Sequence, residues 1–345
     1  MVLAANCCSG ERSRWRCTLA PCLSAAGREI SESMQRHFDT VAAHRHVFAA
    51  LNSALMSDGA LVHVAAGTAA GQPIDILHVS VGGDEPVICH PRHLIVVEPD
   101  AGAHVIERYA SLGEAVYFNN ALVEVVVGER GELVHESLQH ESPLAQHLND
   151  LHIRLGAGSR YRYVHAGLGA EWSRSDLRLT FAGEGAEADL NGLMLASDGQ
   201  LNDVHLDIRH EVPGCTSRES FKGILDGRGR VVFDGRILVA RDAQKTDAAL
   251  ANHNLMLSRN AEVDTKPQLE IFADDVKCSH GTSVGELDAD MLFYLRARGI
   301  PEERAKRMLC EAFANDVLTH FASPDLRKRA AWLLDARLAG PAVSG

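Results

Sequence analysis

The sequence predicts a mainly β protein whose central core is flanked by shorter helical regions at both ends. Three observations carry that prediction. Short apolar or alternating runs, broken by Gly, Asp and Asn, fill residues 60–285. In the second half these runs begin near residues 188, 203, 217, 230, 246, 263 and 276, a spacing of 13 to 17 residues. Apolar residues at helical spacing gather at the two ends. The steady spacing fits the stacked coils of a solenoid. Hairpin arrays space strands every ~8–12 residues, which leaves a β-sandwich as the alternative. Asn191-Gly192, Asp198-Gly199, Asp226-Gly227 and Asp234-Gly235 serve either reading. They suit two-residue hairpins or tight coil corners that need positive φ.

Composition narrows the function classes. The 345 residues suffice for one large domain or two to three smaller ones. Asp and Glu number 46 against 34 Lys and Arg, a formal charge of −12. A general affinity for nucleic acid needs a basic face, so that class is excluded. No run approaches ~18 apolar residues, so no membrane helix is expected. An apolar leader is missing, which argues against secretion and for the cytoplasm. Of eight cysteines, Cys7, Cys8, Cys17 and Cys22 crowd the start, while Cys89, Cys215, Cys278 and Cys310 are far apart. A chain this long needs no disulfide staples, and no pair of CxxC steps suggests a zinc ribbon.

Residues 1–27 are expected to be disordered. Arg12, Arg14 and Arg16 face one acid, Glu11, beside the clustered thiols. Three readings stand: a plastid transit segment, residues translated upstream of the native start, or a thiol metal site. Residues 28–59 form the N-terminal helical region. Met34, Phe38, Val41 and Ala42 share a face, Val47 to Leu55 is apolar at helical spacing, and Asp58-Gly59 ends it with a turn. Residues 60–285 form the β core, within which residues 142–153 read as a short helix. Residues 286–338 form the C-terminal helical domain. Asp288 caps a first helix containing Met291, Leu292 and Leu295, and Gly299 stops it. Pro301 stands at N1 of the second, with Glu302 and Glu303 at its positive end. Ala305, Met308, Leu309, Ala312, Phe313, Asp316 and Val317 form its stripe. Ser323 caps the third, with Pro324 at N1. Residues 339–345 are a fraying tail.

Several catalytic signatures are missing. Lys245-Thr246 follows Gln244 rather than Gly, so there is no P-loop. Neither HExxH nor a dinucleotide GxGxxG occurs. Gly281-Thr282-Ser283-Val284-Gly285 spells GxSxG, but the alternating helices of a hydrolase elbow are absent, so chance explains it. A carbohydrate-active solenoid needs two carboxylates on one face. Asp274-Asp275 is the candidate, yet adjacent strand residues point to opposite faces.

The informative stretch is Asp274-Asp275-Val276-Lys277-Cys278-Ser279-His280-Gly281. In a strand, Cys278 and His280 share a face with Cα atoms roughly 6.5–7 Å apart. A thiolate and an imidazole at that spacing suit iron or zinc, although two ligands do not complete a site. The competing reading makes Cys278 a core thiol and His280 a hydrogen-bonded turn residue. Cys89, His90 and His93 form a weaker second candidate. His63, His78, His104, His135, His205 and His253 read as satisfied or solvent-facing, and Cys215 and Cys310 as structural. Arg296, Arg298, Arg304 and Arg307 read as a docking surface or as a solvated charged face.

Thr265-Lys266-Pro267-Gln268-Leu269-Glu270-Ile271, followed by Ala273 through Gly281, resembles the SufB/SufD family. So do Val284-Gly285 through Ile300, Asn252-His253-Asn254-Leu255-Met256-Leu257-Ser258 and Phe48-Ala49-Ala50-Leu51-Asn52. The likeness spans roughly residues 45–335, and Lys-Cys-Ser-His-Gly places it nearest the SufD branch. Residues 1–30 match nothing expected of that branch, and the N-terminal helical region looks shortened. The resemblance implies a right-handed parallel β-helix between helical regions. It implies a non-enzymatic scaffold of one SufB, one SufD and two SufC ATPases, with SufC on the C-terminal helices at about 288–338. It implies a nascent Fe–S cluster or iron shared at the SufB–SufD interface. There His280 is the expected ligand, with Cys278 beside it, and no cofactor is bound tightly to the isolated chain. A homodimer in isolation, a carbohydrate-active enzyme and a stand-alone metal-binding protein remain open.

Overall fold

Two sheets face each other, and the chain passes from one to the other at every coil. The computed structural model describes residues 2–6, 17–21, 37, 41–42, 46–56, 58–82 and 85–339. One sheet holds, in spatial order, β1 (Val2–Asn6), β4 (Ile74–Val81), β7 (Gly102–Leu112), β9 (Glu132–His140), β11 (Arg160–Gly167), β13 (Glu187–Ala196), β15 (Thr216–Leu225), β17 (Asp247–Met256) and β19 (Lys277–Gly285). The other holds β18 (Glu262–Ile271), β16 (Arg230–Val239), β14 (Leu201–His210), β12 (Trp172–Phe181), β10 (Gln146–Leu155), β8 (Tyr117–Val127), β6 (Arg92–Val97), β3 (Ala60–Val64) and β2 (Cys17–Pro21). A short β5 (Val87–Cys89) also pairs with β8. From β3 and β4 onward every ladder is parallel, which selects the β-solenoid over the sandwich. Gln146 lies opposite Trp172 and Leu61 opposite Leu94, so one coil takes 26 to 33 residues. The 13-to-17-residue spacing of the sequence is therefore half a coil.

The corners explain how so regular a winding closes. Asp100, Arg130, Gly158, Gly185, Gly214 and Lys245 all have positive φ and stack one per coil. Each donates its N–H to the coil above: Asp100 to Glu129 O, Arg130 to Ala157 O, Gly158 to Glu184 O, and Lys245 to Asp275 O. Asp198-Gly199 and Asp226-Gly227 make the corners on the other side, with φ of 78° and 56° at the glycines. Asn191-Gly192 and Asp234-Gly235 are not turns; they lie inside β13 and β16. Gly192 is there for space, because a Cβ would stand 2.2 Å from the Phe221 ring. The helix expected over 142–153 is also a strand, β10, across most of its length. Leu148, Leu151 and Leu155 fit a helical period, but pairing with β8 and β12 on both edges overrides it.

Lumen-facing residues form the main core, from Val62 and Ile95 to Phe233 and Leu250. Helix α1 (Val47–Leu55) covers the outer face of β8, where Asn52 Nδ2 donates to Pro91 O and Asn120 O. Most of residues 28–46, and so most of the expected N-terminal helix, lies outside the described residues. Composition predicts no strand in residues 1–27, yet β1 and β2 pair antiparallel with β4 and β3; the rest of that segment is not described.

Helices α2 (Ala289–Arg296), α3 (Glu302–Leu318) and α4 (Pro324–Leu338) follow the punctuation closely. Asp288 accepts the Asp290 and Met291 N–H groups, Gly299 has φ 83°, and Ser323 Oγ accepts the Leu326 N–H. Pro301 is the N-cap of α3, one position earlier than expected. The buried face of α3 is Ala305, Cys310, Ala314, Val317 and Leu318, turned from the stripe read in the sequence. With α4 it packs on Val164, Ala166, Leu193, Leu195 and Ile224 of the first sheet's outer face. Among the described residues no helix is long and apolar enough to cross a membrane.

Candidate functional site

The two ends of the solenoid differ. At the first, β1 and β2 lie antiparallel across the edges of both sheets. At the other, β18 and β19 are the last strands of their sheets and carry no further neighbour among the described residues. Apolar side chains there are left uncovered: Ile271 of β18 is 38% exposed, Phe272 just after it 61% and Val284 of β19 48%.

Cys278 and His280 both lie on β19 at this open end. Register shows where they point. Cys278 is opposite Ala248 and His280 opposite Leu250, and both partners are buried lumen residues. The pair therefore faces the lumen mouth, as the period of two requires. Cys278 is half-buried against the core, whereas His280 is exposed. Burial pushes the Cys278 thiol up, and Asp247 and Glu219 add to this against a hydrogen bond from the Ala248 backbone. A thiol and an imidazole supply two donors of the four that a tetrahedral metal takes. No cluster of three or more possible metal ligands occurs among the described residues.

One group at this end escapes sequence reasoning. Glu219 on β15 looks like a solvated acid in Ser217-Arg218-Glu219-Ser220, yet it is 2% exposed. Coil closure turns it into the lumen, where burial pushes its carboxyl up to about 8, against Ser217 and Arg218. A carboxylate at a lumen position of the alternation was its visible signal.

The other candidates separate. His93 faces the lumen, with its Nε2 3.1 Å from that of His78, while His90 Nδ1 meets the Asn120 amide at 3.0 Å; no site joins them with Cys89. The remaining single histidines have partners: His63 with Glu98, His104 with Glu136, His135 with Tyr161, His205 with Asp203 and His253 with Ser283. Cys215 and Cys310 are buried. The GxSxG string is strand β19, and Asp274-Asp275 is an exposed bend. Arg296 pairs with Glu302, and Arg298 lies over the Tyr294 ring.

Two junctions tie the helices to the solenoid. Lys222 of β15 donates to Phe313 O and Asp316 and sits over the Phe313 ring. Glu136 of β9 accepts the N–H groups of Ala322 and Ser323 at the start of α4.

Residues 79–313 match the family model described as SUF system FeS cluster assembly, SufBD core domain. An iron–sulfur cluster assembly SufBD family protein of Synechocystis is 36% identical over 82% of this chain and 64% of its own length. The iron–sulfur cluster assembly protein SufD of Escherichia coli is 34% identical over 94% of this chain and 77% of its own. The chloroplastic protein ABCI7 of Arabidopsis thaliana is 34% identical over 70% and 52%. On these matches the chain belongs to the SufBD family of iron–sulfur cluster assembly proteins.

Proposed function

We propose that this chain is a scaffold subunit for iron–sulfur cluster assembly that catalyses no reaction itself. It pairs through the open end of its solenoid with a SufB-type chain, and its C-terminal helices take a SufC-type ATPase. The observation that carries the reading is that end, where two free edge strands frame a thiol and an imidazole. Free edges are templates for pairing. A half-complete donor set is completed by what covers it. Iron or a nascent cluster is then cargo, held by His280, and secondarily Cys278, together with the partner's ligands. Helix α2 supports the docking role. Met291, Phe293 and Tyr294 are exposed beside a groove of about 390 Å³ lined by Leu287, Leu292, Lys306 and Arg307. An apolar patch with a rim of mixed charge, Arg259, Lys306 and Arg307 beside Asp226, Glu286 and Glu303, suits a partner helix. Lys222 and Glu136 are placed to pass its movement to the coils. The setting is the cytoplasm or, as for the chloroplastic relative, the plastid.

Co-expression with tagged SufB- and SufC-type partners tests this. The expected result is a stable complex whose cluster absorption weakens in His280→Ala without loss of assembly. A chain ending at residue 286 should lose the ATPase and keep the SufB-type partner. A folded, monomeric chain that captures neither partner would overturn the proposal.

A further inference from the structure

Among the described residues, exposed apolar side chains gather in three places: the open end, helix α2, and the early corners where the first sheet passes into the second. The third cluster has no role in the function proposed above. Val81, Val87, Ile88, Leu112, Val116 and Leu144 are each 42–65% exposed there. Register makes them one surface. Val81 stands opposite Leu112, and Ile88 opposite Phe118. Val116 and Leu144 come two residues before Phe118 and Gln146, which also pair. The corners are held from beneath. Ser111 Oγ accepts the Ser142 N–H at 2.7 Å, Ser142 Oγ accepts the Ala115 N–H at 2.9 Å, and Tyr117 Oη donates to the buried Glu141 at 3.0 Å. Single exposed apolar residues need no partner, but contiguous ones mark interaction sites.

Two further features say what fits. The rim is acidic. Glu85, Glu114 and Glu171 are exposed and make no ion pair among the described residues. The corner segments 85–89, 111–117, 141–146 and 168–172 contain no Lys or Arg. An edge is also open. Among the described residues β5 pairs with β8 alone, and β3 reaches β6 only from Leu61 and Leu94 onward. Natural edges are blunted by Lys or by a cover, whereas this one shows Val87 and Ile88.

We propose that this corner is a further docking site, taken by an extended segment of a partner protein in which apolar residues alternate with Lys or Arg. The segment pairs with β5 as an added strand, buries Val81, Val87 and Ile88, and sets its cations against the acidic rim. The rest of the partner covers Leu112, Val116 and Leu144. Main-chain bonds to the edge supply affinity, and the side chains supply selectivity. The site lies at the other end of the solenoid from β18 and β19, and it stands whether or not a SufB-type chain pairs there.

A short labelled peptide of alternating Val and Lys, with a Glu-for-Lys copy beside it, tests this on the full chain. By fluorescence anisotropy the Lys peptide should bind about tenfold more tightly than the Glu copy, the size expected when a few exposed ion pairs replace repulsions. Glu114→Lys should weaken the Lys peptide about threefold at low salt and hardly at all in about 0.5 M salt. Hydrogen exchange within Val87–Cys89 should slow about tenfold when the Lys peptide is bound, and Ile88→Arg should abolish both signals. Equal affinity for the Glu copy would overturn the proposal. So would protection of β18 or β19 instead of β5, which would seat the peptide at the open end. A chain that self-associates until Ile88→Arg makes it monomeric would assign the face to a second copy, against the proposal. If neither peptide binds, the proposal fails, and maleimide labelling of Ile88→Cys then tells a face covered by the chain's own residues from a bare one. The wild-type exchange pattern decides the matter even if a variant folds poorly.

Discussion

In the early coils the lumen carries His78, His93, Glu107, His135, His147 and His165 beside its aliphatic stripe. In the later coils those places pass to Leu190, Phe221, Phe233 and Leu250, with Glu219 left among them. The two halves share a backbone and differ in how they satisfy buried charge. The early half uses partners. Burial alone would raise Glu107, but His135, His93 and His147 outweigh it and hold the carboxyl below its usual range. Glu141 is held low in the same way by His147, Gln139 and Asn119. In the later half Ser217 and Arg218 pull the Glu219 carboxyl down, but burial outweighs them and pushes it up to about 8. Ion pairing and neutralisation are the two ways to keep an acid out of water, and one lumen shows both.

The largest test of the contrast is packing. Phe221→Ala removes a fully buried ring that contacts Phe233, centroids 5.4 Å apart, and fills the space left by Gly192. We expect a loss of about 3–5 kcal/mol in urea unfolding. A loss under about 1 kcal/mol would mean that the later lumen is loosely packed and that the contrast fails.

A second test reads the two halves by pH. In the early half burial pushes His165 down to about 3, from 6.5 when unfolded. The unfolded chain binds more protons between these values, so stability falls as pH drops below about 6.5. His78 and His93, also lowered by burial, act in the same direction. Glu219 acts in the opposite one. It loses its proton near 4.5 when unfolded and near 8 when folded, so stability falls as pH rises through that window. Each such group contributes at most about 1.4 kcal/mol per pH unit inside its window. Urea midpoints measured against pH should therefore lose their alkaline fall in Glu219→Gln and keep their acid fall. His165→Asn should soften the acid fall and leave the alkaline one.

How much of this was legible depends on where the information lies. Strand positions were readable because each half-coil repeats a local pattern; runs placed at 188, 217 and 230 begin at 187, 216 and 230. Parallel pairing was not, because partners lie 26 to 33 residues apart and a single sequence shows no contact between them. Cys278 and His280 were brought to one face by a period of two, which is local. Glu219 was missed because its burial is set by the next coil. The Asn-Gly signal failed at Asn191-Gly192 for the same reason: Phe221, on the neighbouring rung, decides what that glycine is for.

The smallest test lies where the C-terminal helices bridge the two halves. Glu136 of the early half holds the start of α4, and Lys222 of the later half holds the end of α3. At the start of α4 two acceptors divide the free N–H groups: Glu136 takes Ala322 and Ser323, and Ser323 Oγ takes Leu326. Ser323→Ala removes the second acceptor alone and should cost about 1 kcal/mol, a common value for an N-cap. Hydrogen exchange can place that loss. If the helices are a local unit, the Leu326 amide exchanges about fivefold faster while β13 amides do not change. If α4 instead clamps the halves together, β9 and β13 amides should speed up with it. In that case a partner acting on these helices would reach both halves of the lumen at once.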